Sequence, residues 1–207
     1  MLLANNITFS RNNREVLKNI NVSLKPKKII HLKGNNGVGK TTLLKIITNV
    51  IKPDQGEIFW NGKNIKKNPY ELYKSLTFIM DKKSSNNFLT VYENILFWKN
   101  LFRSKINDKE IDSVLSLLLL DKYKNINANN LSYGELKKLE LSRLIIEKKM
   151  LWVLDEPYIG LDNSSADLLN QTFLNHIELG GMIIFTSHIT PTIRTLHSLN
   201  LETENER

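Results

Sequence analysis

Four apolar runs stand out along the chain. They are KIIHLKG at residues 28–34, SLTFIM at 75–80, MLWVLDEP at 150–157 and GMIIFTSH at 181–188. Runs of this length without polar alternation have two buried faces, which predicts strands of a parallel sheet covered by helices. GEIFWNGK at 56–63 ends in Asn61-Gly62 and predicts a strand entering a tight turn. Helical spacing fills the gaps. GKTTLLKIITNVI at 39–51 predicts a helix stopped by Pro53, and residues 91–102 and 108–120 predict two more. LSYGELKKLELSRLI at 131–145 reads as a helix start: Ser132 is a good N-cap, Glu135 completes a capping box, and Leu141, Leu144 and Ile145 follow at helical spacing. KKSSNNFLT at 82–90 is polar and loop-like, and the tail NLETENER at 200–207 is expected to fray. Strand–helix alternation makes the core α/β. A length of 207 residues with no internal repeat or linker predicts one domain.

Composition narrows the class. Hydrophobic residues at 41% and charged residues at 24% are ordinary for a globular chain. Pure apolar stretches such as residues 117–120 are far too short to span a bilayer. No basic segment precedes an apolar one at the start of the chain, so no signal peptide is expected. Without cysteine the chain has neither disulfides nor cysteine-based metal sites, which fits a reducing compartment. The formal net charge is +8. Its lysines come in scattered pairs such as Lys27-Lys28, Lys66-Lys67 and Lys137-Lys138, a pattern of solvated surface with anionic lipid as the alternative partner.

The chemistry begins at GNNGVGKT, residues 34–41, which satisfies G-x-x-x-x-G-K-[ST]. A chance glycine-rich turn would lack the strand before it and the helix after it. The backbone N–H groups of Gly34, Asn35, Asn36, Gly37, Val38 and Gly39 can curl around phosphate oxygens. The helix N-terminus, with Lys40, Thr41 and Thr42, adds its positive dipole end. Lys40 can reach the terminal phosphates of a nucleotide, and Thr41 can ligate Mg²⁺. Asp155 closes a buried strand, where an acid can hold a magnesium shell. Glu156 points elsewhere because strand side chains alternate, and can orient or deprotonate a water. A plain strand cap would explain one acid but not two beside a phosphate loop. His188 ends another core strand. Ligands of open α/β sheets gather at strand carboxyl ends, so Gly34, Asp155, Glu156 and His188 are expected to converge.

In order, the chain carries GNNGVGKT, LSYGE, LWVLDEP, YIGLD and His188. Together these resemble the ATP-binding subunit of an ABC transporter, over nearly the whole length. The resemblance implies a P-loop NTPase core with a small antiparallel β sub-domain and a helical sub-domain at about residues 85–145. It implies ATP and Mg²⁺ as cofactors, and two cassettes packed head to tail. Each ATP would then lie between one phosphate loop and the other subunit's signature. Ser132, Gly134 and Glu135 would face the partner's ATP, and Asp162 would lie at the dimer seam. Thr41 and Asp155 would hold the metal, with Glu156 and His188 as catalytic residues. TVYENILFW, LWVLDEPYIGLD and GGMIIFTSH, with the shortness of the chain and no expected C-terminal extension, resemble the haem-exporter-type ATPase of cytochrome c maturation. That resemblance implies integral membrane partners and a peripheral place on the cytoplasmic face of a bacterial inner membrane, or the matrix face in a mitochondrion. Another cargo, such as lipid or drug, stays open. A ribosome- or DNA-acting ATPase is the rival class. It is disfavoured because the chain has one cassette, no coiled-coil insertion and no zinc module, so nucleic acid is not expected as a partner.

The chain departs from the family pattern in three places. Arg11 stands where an aromatic usually stacks on adenine, with Phe9 as a nearby substitute. Tyr133 and Glu135 replace a glycine and a glutamine of the signature, and Glu135 brings an anion near a phosphate site. After the strand at 75–80, Asp81 and Lys82 stand where a glutamine is usual, with Lys82 aligned to it. Lysine cannot ligate a metal as an amide oxygen does, so slow basal hydrolysis is expected. The helix at 91–102 is apolar nearly all round. Val91, Ile95, Trp98 and Phe102 form one face, leaving Tyr92, Phe97 and Leu101 as a candidate docking surface for a membrane subunit.

Overall fold

A computed structural model describes residues 1–193 and 196–202. Two sheets and a helical layer enclose three apolar cores. The first sheet is antiparallel. Its strands are β1 (Leu2–Arg11), β2 (Arg14–Leu24), β4 (Gln55–Trp60) and β5 (Lys63–Asn64), in the order β2-β1-β4-β5. Neither β1 nor β2 emerges from the hydrophobic pattern, and the reason is physical. Asn6 and Asn19 adopt left-handed φ of 53° and 52°, and the β1–β2 register shifts beside them. Bulges of this kind break the period-two alternation that marks a half-buried strand. The turn at Asn61-Gly62 has φ of 48° and 78°, as a two-residue hairpin requires.

The second sheet is parallel and carries the site. It comprises β3 (Lys28–Lys33), β6 (Leu76–Ile79), β7 (Leu151–Leu154), β8 (Met182–Thr186) and β9 (Leu196–Asn200), in the order β6-β7-β8-β3-β9. β7 and β8 are buried at every position, in keeping with their unbroken apolar sequences. The expected fraying of the tail does not hold at its start. Asn200 ends β9, Leu201 is fully buried, and the Glu202 carboxylate accepts from the Asn35 N–H at 2.8 Å. Residues 203–207 lie outside the described residues.

The first helix, α1 (Lys40–Ile47), is shorter than predicted. Asn49 turns left-handed at φ 59°, and the Val50 and Ile51 amides fold back on the Lys45 carbonyl, so the helix ends well before Pro53. A short helix, α2 (Pro69–Ser75), leads into β6. The helical layer holds α3 (Val91–Leu101), α4 (Asp108–Leu117) and α5 (Tyr133–Ile146) around Ile95, Trp98, Ile111, Leu115 and Leu139. α4 stops earlier than its apolar run suggests because Leu119 is left-handed at φ 55° and points to solvent. The sixth helix, α6 (Asn163–Glu178), covers one face of the parallel sheet. Asp162 caps it, accepting from the Ser165 amide at 2.8 Å.

At the far end of α6, His176 stacks on Trp152 with ring centroids 3.6 Å apart and 7° between planes. Burial pushes this imidazole down to about 4, below its usual value near 6.5. The unfolded chain therefore binds more protons between those two values, and folding stability falls as pH drops through that window. Melting temperature measured from pH 7 to pH 4 is expected to decline less steeply in His176→Phe, which keeps the stack, than in the parent chain. An unchanged slope would contradict this assignment.

Candidate functional site

Parallel strands place their carboxyl ends on one edge, and four of them open into a single cleft of about 800 Å³. The loop after β3 contributes Asn36, Gly37 and Gly39, and α1 contributes Lys40, Thr41 and Thr42. Asp155 and Glu156 follow β7, His188 follows β8, and Asp81 and Lys82 follow β6. Arg11, from the antiparallel sheet, stands at the same cleft beside Val16. Phe9 does not substitute for it, because its ring packs against the first core. Gly34, Asn35 and Val38 do not line the cleft surface. The Lys40 ammonium donates to the carbonyls of Gly34 and Asn35 at 2.7 and 3.1 Å, and the Val38 side chain packs inward.

The acids divide their tasks. The Thr41 hydroxyl donates to the Asp155 carboxylate, at 2.8 Å to Oδ2 and 3.1 Å to Oδ1. A hydroxyl beside a carboxylate is a pair of hard oxygen donors, the type that suits magnesium. Glu156 adopts a left-handed φ of 50°, a strained conformation for a residue with a side chain. That twist turns its carboxylate toward His188, whose Nε2 lies 3.5 Å from Oε1 and whose amide donates to Oε2 at 3.3 Å.

Thr186, at the end of β8, was not singled out in the sequence. Its buried hydroxyl donates to Asp155 Oδ1 at 2.7 Å and accepts from the Glu156 amide at 2.9 Å. It thus fixes both acids from a neighbouring strand. A polar residue closing an otherwise apolar strand is the only sequence signal for it.

The signature residues form a second, smaller concavity, of about 290 Å³, that shares no lining residue with the cleft. Ser132, Gly134, Glu135 and Asp162 line it, with Lys138, Gly160 and Ser165. Ser132 caps α5 as expected, and the Glu135 carboxylate accepts from the Ser132 amide at 2.8 Å. A hydrogen bond from Tyr123 and the Ser132 contacts hold that carboxylate below its usual range. Its charge is therefore engaged in the cap rather than directed freely at the concavity. Gly160 explains how Tyr133 is tolerated: a Cβ there would come within 2.2 Å of the Tyr133 ring. A Cβ at Gly134 would meet the Gly160 carbonyl at 2.6 Å, so both positions require glycine.

A buried polar clasp joins α5 to the loop after β6. Glu140, 4% exposed, accepts from the amides of Ser84 and Ser85 at 2.7 and 2.6 Å and from the Ser84 hydroxyl. Arg143 donates to Ser84 Oγ at 3.0 Å and to Glu147 at 2.7 Å, and Glu147 accepts from Thr77 in β6 at 2.7 Å. Lys137, one turn after the signature, is also buried. Desolvation pulls its ammonium down, while Asp81, Glu140, Asp155 and Glu156 oppose that shift. The sequence pattern did not single out these residues for the site. Tyr92, expected at a docking surface, instead packs on the helical core with Lys124 4.7 Å from its ring centroid. Phe97 and Leu101 remain 50% and 59% exposed.

Comparison with known proteins supplies an independent line. Residues 17–159 match the family model for ABC transporters. The cytochrome c biogenesis ATP-binding export protein CcmA of Vibrio vulnificus is 32% identical over 188 residues, covering 91% of this chain and 92% of that protein. The protein of the same name from Reclinomonas americana is 35% identical over 207 residues, covering 99% and 92%. Among solved structures, a putative ABC transporter ATP-binding protein from Pyrococcus furiosus superposes with a TM-score of 0.85 at 24% identity, covering 98% of each chain. A bacterial ABC transporter cassette solved as a dimer superposes at 0.80 with 23% identity, covering 97% of this chain and 94% of that one. Both structures share the fold.

The clasp generates a stability prediction. Glu140→Ala takes the acceptor away from the Ser84 and Ser85 amides and the Ser84 hydroxyl, so it is expected to lower unfolding free energy by about 2 kcal/mol. Glu110→Ala removes a solvent-exposed partner of Lys148 and an exposed cap acceptor of the Asn107 amide, and is expected to cost less. Urea unfolding of both variants checks this, and equal losses would contradict it.

Proposed function

The chain belongs to the ABC transporter family, and from that membership we propose that it is the ATP-hydrolysing subunit of a membrane export complex serving haem delivery in cytochrome c biogenesis. The observation that carries the reading is the division of the site. One chain holds a phosphate-loop cleft and a separate signature concavity. A second copy packed head to tail would supply the missing half to each. The name shared by the relatives above supports the biological setting.

The chemistry follows from the residues. Lys40 and the backbone amides after β3 bind the phosphates, releasing the internal contacts that Lys40 makes to Gly34 and Asn35. Thr41 and Asp155 would hold magnesium, which would supply charge neutralisation for the phosphates. Glu156 accepts a proton from the attacking water, whose oxygen bonds to the γ-phosphorus as the bond to the bridging oxygen breaks and ADP departs. His188, placed against Glu156, contacts the γ-phosphate. Across the seam, Ser132, Gly134 and the start of α5 face the same phosphate from the partner, Glu135 holds the cap in shape, and Asp162 borders the seam. Arg11 stacks on the base, and Lys82 replaces the usual glutamine at the γ-phosphate.

No described helix is long and apolar enough to cross a membrane. In this reading the subunit associates peripherally, on the cytoplasmic face of an inner membrane or the mitochondrial matrix face, through integral membrane partners. Exposed Phe97 and Leu101 on α3 suit that contact.

Lys40→Ala is expected to lower ATP hydrolysis at least about 100-fold, and retained activity would remove the phosphate-loop assignment. With Lys82 in place of glutamine, the purified subunit is expected to turn over more slowly than about 10 s⁻¹. Phe97→Glu is expected to abolish recovery with membranes while leaving ATP binding intact; loss of both would mean that Phe97 serves folding instead. The biological role is tested by purifying tagged Glu156→Gln from detergent-solubilised membranes. Small integral membrane proteins with a haem Soret band are the expected companions. Membrane chains without haem would overturn the haem role, and ribosomal proteins or DNA would overturn export altogether.

A further inference from the structure

His31 is the polar exception inside β3. It is 1% exposed in the middle of the parallel sheet, paired in register with Phe185 of β8, and its ring stacks on Phe185 with centroids 4.7 Å apart and 4° between planes. Its Nε2 lies 2.9 Å from the carbonyl oxygen of Ser187. A carbonyl only accepts, so this nitrogen carries the proton. The other nitrogen, Nδ1, is buried without a partner. A site concerned only with packing is better served by an apolar side chain, as at its neighbours Ile29, Ile30 and Leu32. Burial, with the charges of Lys33 and Lys40, keeps the imidazole neutral, so the donor at Nε2 and the bare acceptor at Nδ1 persist.

The partner of that donor is what matters. The β3–β8 ladder ends at Leu32 and Thr186, so the Ser187 carbonyl lies just beyond it, at the point where the chain leaves the sheet. The next residue is His188, which meets Glu156 through both its amide and its ring. Ser187 Oγ accepts from the Ile189 amide at 3.0 Å, which curls the loop back on itself. We propose that His31 is a positioning residue for hydrolysis: its Nε2–H holds the Ser187 carbonyl and so sets where the loop presents His188 to Glu156. The inference rests on the roles given above to Glu156 and His188.

The test compares His31→Leu, His31→Asn and His31→Gln. The Gln amide reaches about as far as Nε2 and restores the donor, whereas the Asn amide falls short. Turnover and affinity for a non-hydrolysable ATP analogue are measured for each. The expected result is turnover reduced about tenfold in Leu and Asn and restored to near the parent value in Gln, with analogue affinity within twofold throughout, because misplaced catalytic groups lose rate rather than binding. Parental turnover in Leu would overturn the proposal, and if Leu does not fold, parental turnover in Asn would do so. Equal losses in Gln and Asn would also overturn it, since that is the signature of packing alone. His188→Ala run in parallel separates the two claims. If His188→Ala itself hydrolyses normally, the assignment of His188 fails. If it is inactive while His31→Leu is normal, only the inference about His31 fails.

Discussion

In a parallel sheet every carboxyl end lies on the same edge, so the registered pairing of β7, β8 and β3 decides which side chains can meet. Leu154 pairs with Phe185, and Phe185 with His31, which sets the residues just beyond them at a common level. Asp155 and Glu156, Thr186 and His188, and the phosphate loop then converge although the three groups lie far apart in sequence. A slip of one residue in either pairing would turn each side chain to the opposite face and separate them. The buried apolar runs of β7 and β8, packed by Phe173 on one side and Ile47 on the other, make such a slip costly.

On that frame the site is held by polar contacts that the core alone would not require. Thr186 ties both acids to β8, the Glu156 backbone is twisted to aim its carboxylate, and the Glu140–Arg143–Glu147 cluster fastens α5 to β6 and the loop after it. The capping box at Ser132 has two uses at once. It satisfies the start of α5 and shapes the concavity that the family's head-to-tail arrangement would turn toward a partner. Buried networks of this kind are costly when half-satisfied, which concentrates sensitivity to mutation at Glu140 and Thr186 rather than at the many surface lysines.

The phosphate loop, the acids after β7 and the capped start of α5 were legible because local spacing encodes them. A glycine pattern between a strand and a helix, or a Ser-x-x-Glu before an apolar run, needs no knowledge of distant residues. β1 and β2 were hidden by asparagine bulges, and the ends of α1 and α4 by single left-handed residues. α6 carries local signals, an Asp162 cap followed by Leu169, Phe173 and Ile177, but they are spread over a largely polar segment. β9 adjoins a polar tail, and its Leu196 and Leu199 fall three residues apart, off the period of two that marks a strand. Thr186, Glu140 and His31 were beyond reach for another reason. Their partners lie roughly 30 to 156 residues away, and no local pattern announces such a pair.

The central claim is that two copies close on ATP, each completing the other's site through Ser132. Size-exclusion chromatography with light scattering tests it directly on Glu156→Gln, with ATP and magnesium, alone and combined with Ser132→Arg. The account predicts a dimer for the single variant and a monomer for the double variant, with each chain still binding ATP. A single variant that stays monomeric, or a dimer indifferent to Ser132→Arg, would contradict it.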